Sequence, residues 1–127
     1  MVTYESIIKA GEGLKKIATL DLKIGQAIRL SKLIKKLGEE SVYYFEQRNR
    51  LCAQFGKYEP EKDAYFIPEE NRKALAEKMT ELNEETVDVG EKLKIAVPEG
   101  AVIDAASLLL AEDFIEFVFE EDKENGE

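Results

Sequence analysis

The sequence predicts a mainly α domain: a long antiparallel helical hairpin with a small two-stranded β ribbon and a C-terminal packing helix or strand. Three observations carry this. One amphipathic run extends unbroken from Leu22 to Phe55, and a second, shorter run extends from Pro68 to Glu85. Between Thr86 and Val97 the apolar residues change from helical spacing to alternation. On this reading residues 1–119 form one domain (hairpin 22–85, ribbon 86–97, C-terminal element 104–119) and residues 120–127 an acidic tail.

The first element is a short stretch from Tyr4 to Leu20, whose apolar residues are Ile7, Ile8, Leu14 and Ile17; Gly11 and Gly13 weaken it as a helix. Gly11-Glu-Gly13 opens no phosphate-binding loop, because neither a GxGxxG nor a P-loop pattern follows. In the long run, Ala27, Leu30, Ile34, Leu37, Ser41, Tyr44, Arg48, Leu51 and Phe55 recur at alternating steps of three and four, and Ile24, Ile28, Leu33, Phe45 and Cys52 widen the stripe. At ~1.5 Å per residue this helix is roughly 50 Å long, more than one flank of a small globule can cover. Gly38 in its middle predicts a bend or a close helix approach.

Gly56 is expected to end the helix in the left-handed conformation, with a turn over Pro60 to Asp63. Three aromatics, Tyr58, Tyr65 and Phe66, then fall at the hairpin tip. They either fold back onto Phe55 and Leu75 or stand out as an anchor for a partner protein. The return helix opens on Pro68 with Glu69 and Glu70 in its first turn, where acidic groups oppose the positive end of the helix dipole. Its narrow seam, Ala74, Leu75, Met79 and Leu82, fits one partner helix, so Leu37, Leu51 and Leu82 are expected to be buried between the two. Thr86–Val89 and Leu93–Val97 flank Gly90-Glu91-Lys92 and predict the ribbon. Asp104 caps a helix through Leu108, Leu109 and Leu110 that is expected to run on to Val118, although Phe114 to Phe119 also alternates as a strand would.

Composition excludes several function classes. The 127 residues include no histidine, which removes Ser-His-Asp and Cys-His arrangements and any imidazole acid or base. Glu39 with Glu40 and Glu84 with Glu85 are adjacent on helices and point in different directions, and no EF-hand spacing occurs. Neither enzyme activity nor a cofactor or metal is expected. The single cysteine, Cys52, reads as a small buried hydrophobe rather than a nucleophile. With no membrane-spanning window and no hydrophobic leader segment, a cytoplasmic protein is expected.

Charge is uneven. Residues 1–37 carry eight Lys or Arg against three acids, net +5; residues 38–127 carry ten against twenty-four, net −14, giving −9 for the chain. Arg29, Lys32 and Lys36 form one basic helix face, while Glu77, Glu81 and Glu84 form an acidic one on the return helix. The overall acidity disfavours general nucleic-acid binding and favours a partner with a basic surface.

The runs Leu20-Asp-Leu22, Leu30-Ser-Lys-Leu-Ile-Lys-Lys-Leu37, Glu46-Gln-Arg-Asn49, Phe55-Gly56 and Ile67-Pro-Glu-Glu-Asn71 resemble small uncharacterised phage and prophage proteins of Gram-positive bacteria, over about Leu20 to Glu85. The resemblance implies a phage accessory protein in a bacterial cytosol and no assigned activity. Three readings follow. The first is a non-catalytic acidic protein-binding module that sequesters or inhibits a host or defence protein, in the manner of nucleic-acid-mimicking anti-CRISPR inhibitors. The second is a self-associating assembly factor, a homodimer whose long stripe a second subunit completes. The third is a small-ligand or nucleotide binder using the basic face.

Overall fold

The computed structural model describes residues 1–119, so the predicted acidic tail lies outside the described residues. The order of elements is β1 (Val2–Thr3), α1 (Tyr4–Ile17), α2 (Ile24–Phe55), β2 (Lys57–Glu59), β3 (Ala64–Phe66), α3 (Glu69–Glu84), β4 (Thr86–Val87), β5 (Leu93–Val97), α4 (Ala105–Ala111) and β6 (Ile115–Phe119). The fold is mainly α, with α2 and α3 as the long antiparallel pair.

The core gathers around α1. Thr3 caps that helix by accepting from Ser6 N at 3.2 Å, and Ile7, Ala10, Gly13, Leu14 and Ile17 are buried along one face. Gly13 is explained by packing: a Cβ there would lie 2.8 Å from the Ser107 carbonyl oxygen and 3.1 Å from Leu110 Cβ, so its absence lets α4 lie directly on α1. Leu30 and Leu37 enter the same cluster from the first half of α2, and Ile95, Ala111, Phe114 and Ile115 from the C-terminal part.

Two sequence expectations are corrected in that C-terminal part. Thr86–Val89 and Leu93–Val97 do not pair as a ribbon. Instead β4 pairs antiparallel with β1, Val2 opposite Val87, and β5 pairs parallel with β6, from Leu93 opposite Ile115 to Val97 opposite Phe119. A parallel pair needs a long crossover, and the segment containing α4 supplies it. The helix also does not run on to Val118. It stops at Ala111, the turn Glu112 to Phe114 follows, and the alternating residues form β6, with Ile115 buried and Glu116 exposed. The Asp104 cap is as expected: its carboxylate accepts from Ser107 N at 3.1 Å and from Ser107 Oγ at 2.7 Å. These bonds, with Lys16 nearby, hold the Asp104 carboxyl below its ordinary pKa.

Beyond Tyr44 the α2–α3 pair leaves the core. No residue of α3 is buried, and Leu51 and Leu82 are half-buried where the sequence predicts full burial; Leu37, at 4% exposure, is buried, but in the cluster around α1 rather than in the seam with α3. Two stacked helices have no third layer to close the seam between them. The close helix approach expected at Gly38 and the left-handed conformation expected of Gly56 are both absent. Nothing lies within 4 Å of a Cβ built at Gly38 and α2 continues through it, so no helix approaches closely there. Gly56 is extended rather than left-handed, and is required because a Cβ would meet Ile67 and the Phe66 carbonyl oxygen.

A polar collar joins core and arm. Tyr4 stacks on Tyr44 with ring centroids 6.1 Å apart; Tyr4 Oη donates to Glu40 Oε2 at 2.7 Å, and Tyr44 Oη to Asn83 Oδ1 at 2.8 Å. Burial first, and then the bond to Glu40, pushes the Tyr4 hydroxyl pKa up to about 12. A folded-state pKa above the unfolded value means this contribution to stability is present below pH ~10 and is lost as pH rises from about 10 to 12. Tyr4→Phe is therefore expected to lower the thermal midpoint at pH 7, by about 1–2 kcal/mol of stability. It should also flatten the alkaline limb of the stability curve between those pH values.

Candidate interaction surfaces

The three groups of residues singled out in the sequence lie at separate places. At the tip, β2 and β3 form an antiparallel hairpin with Tyr58 opposite Tyr65 and Lys57 opposite Phe66. Opposed residues share a face of the pair, so the aromatic trio splits. Tyr58 and Tyr65 pack together, centroids 5.3 Å apart, and border a concavity of about 440 Å³ with Arg48, Asn49 and Cys52 of α2. Phe66 lies on the other face, 54% exposed. Tyr58 Oη donates to Asp63 Oδ1, and this bond raises the hydroxyl pKa above its ordinary value. Asp63 closes the four-residue loop in the left-handed region, φ 46°. Below the tip, Asn71 Nδ2 at the start of α3 donates to the Phe55 carbonyl at the end of α2 at 2.9 Å.

Glu77, Glu81 and Glu84 are all exposed on α3. At 100° per residue they fall, with Glu70, on the side opposite the seam residues Leu75 and Leu82. Lys78 approaches Glu81 at 3.6 Å, a surface pair of little energetic weight. The surface is a convex acidic ridge along the outside of the arm.

Arg29, Lys32 and Lys36 line a groove of about 450 Å³ between the first half of α2 and the segment Val89 to Lys94. Leu33, Val89 and Leu93 are its apolar lining, Lys92 and Lys94 join the three predicted cations, and Glu91 adds one carboxylate. Sequence reasoning missed these two lysines. Lys94 is the outward residue between Leu93 and Ile95, but only the fold shows that this strand end lies beside α2. Among the described residues none of the five cations makes a salt bridge; Lys36 Nζ donates to the Asp88 carbonyl at 3.2 Å.

No protein family, curated protein or solved structure matches this chain. Among the described residues no group of three His, Cys, Asp or Glu side chains could hold a metal ion, and no helix is long and apolar enough to cross a membrane. Tyr58, Asp63 and Cys52 border the same concavity at the tip, where the Asp63 carboxylate accepts from the Tyr58 hydroxyl.

Proposed function

We propose that the chain is a non-catalytic binding module that holds a protein with a basic surface against the outer side of its α2–α3 arm. The observation that carries this reading is that α3 has no buried residue, although it is pinned at both ends, by Asn71 to Phe55 and by Asn83 to Tyr44. An arm that places no residue in the core cluster is a display surface. Residues 39–85 carry twelve acids against seven Lys or Arg, net −5, so the display is acidic. The resemblance to phage proteins adds the setting: a phage-encoded accessory protein that sequesters or inhibits a host or defence protein, its acidic ridge standing in for a nucleic-acid backbone.

A second reading rests on the groove, where five cations without ion-pair partners among the described residues outnumber the one carboxylate, Glu91, around an apolar floor and suit an anionic ligand. Affinity capture from bacterial lysate at low and raised salt separates the two. On the arm reading, Glu77→Lys with Glu81→Lys abolishes salt-sensitive capture of a basic protein without changing the fold, and Arg29→Glu with Lys32→Glu leaves capture intact. The reverse pattern refutes the arm reading and transfers the function to the groove.

A further inference from the structure

The side of α2 facing away from the core carries a second stripe, distinct from the arm's acidic ridge. Ile24 is 80% exposed, Ile28 51%, Val42 56% and Phe45 41%. Thus four of the eleven large apolar side chains left exposed in residues 1–119 sit along one helix face. Scattered exposed hydrophobes need no explanation, but a row does. Between them on the same face lie Ser31, Lys35 and Gly38, all exposed, and the spacing along the whole row alternates four and three residues, as in a coiled-coil seam.

The order of residue sizes along the row is the same read in either direction from Lys35. Ile28 and Val42 stand seven positions either side of it, Ser31 and Gly38 four before and three after, Ile24 and Phe45 eleven before and ten after. Laid antiparallel on a second α2 about a two-fold axis through Lys35, large residues meet large, and the two small residues meet on either side of the axis, next to the point of closest approach. Lys32 and Glu39, on the same flank of the row, then face each other's copies twice over. Antiparallel helices bring like flanks together and parallel ones do not. Neither residue has an ion-pair partner among the described residues, and no atom lies within 4 Å of a Cβ built at Gly38. The two Lys35 ammonium groups extend outward from the axis to water and to Glu39, and one charged residue in an apolar seam fixes register at a cost in affinity.

We infer that this face of α2 binds a second copy of the chain, giving an antiparallel two-fold dimer centred on Lys35. Such a dimer places the two arms at opposite ends, so it goes beyond the docking role of either arm and does not depend on it. Analytical ultracentrifugation of the full chain tests it. The expected result is a reversible dimer in the micromolar range. Ile28→Glu with Val42→Glu converts it to monomer with an unchanged circular dichroism spectrum. Lys32→Glu alone weakens it about tenfold, Glu39→Lys added to Lys32→Glu restores it, and Lys35→Leu tightens it about tenfold.

In a Cys52→Ser background, oxidation cross-links Lys35→Cys and does not cross-link Ser31→Cys. A monomer mass at every concentration, a dimer indifferent to Ile28 and Val42, or cross-linking through Ser31→Cys overturns the inference. The charge-swap pair decides the matter should the two glutamates disturb folding. Glu77→Lys with Glu81→Lys leaves the dimer unchanged, so this result stands or falls apart from the arm's function.

Discussion

Phe114→Ala is expected to cost about 3–5 kcal/mol, the largest single loss available in this domain. The ring is 2% exposed and sits where β6 begins, among Ile7, Leu14, Ile17 and Ile95 of the core cluster. Its backbone is engaged on both sides: Phe114 N donates to the Ala111 carbonyl and Leu93 N to the Phe114 carbonyl, each at 2.9 Å. With those bonds fixing the main chain, the structure around the lost ring cannot collapse far, and the cavity term is paid nearly in full. Domains of this size have about 5–15 kcal/mol in total, so chemical denaturation should show the midpoint falling by about a fifth or more. Leu51→Ala, on the half-buried arm seam, should cost well under half as much.

The second large effect separates two glycines two residues apart. Gly13→Val forces a branched side chain into the 2.8 Å gap before the Ser107 carbonyl, and the obstacle is backbone, so α4 must move off α1. Overpacking of this kind costs about 1–3 kcal/mol, and the valine's poor helix propensity adds to it. Gly11→Ala points the other way. It lies on the same helix with nothing within 4 Å of its Cβ, so it should stabilise by up to about 1 kcal/mol through helix propensity alone. Thermal unfolding of the two variants should therefore shift in opposite directions.

That contrast also shows what the sequence can and cannot reveal. Gly11 and Gly13 both read as weak helix residues, because propensity is local, whereas the contact that makes Gly13 necessary involves Ser107, far along the chain. The long helix, its shorter partner and the Asp104 cap were legible, since each depends on periodicity or on a neighbour three residues away. Strand pairing was not. Thr86–Val89 and Leu93–Val97 look like a ribbon because nearness in sequence usually decides pairing, but β1 and β6 supplied better partners from the two ends of the chain. The basic groove was half legible for the same reason: Arg29, Lys32 and Lys36 share a helix face, while Lys92 and Lys94 reach them only through the fold. The aromatic tip shows a third case, in which a cluster in sequence is divided by strand alternation, Tyr58 and Tyr65 on one face and Phe66 on the other.

The separation of a buried core from an arm that only displays surface is tested most directly by native-state hydrogen exchange across the chain. Amides of α1, β5 and the first half of α2 should exchange through global unfolding, while those of α3, the hairpin tip and α2 beyond Tyr44 should open at markedly lower free energy, as a separate unit. Protection of α3 equal to that of α1 would contradict the account, because it would make the arm a cooperative part of the core rather than a surface held out for a partner.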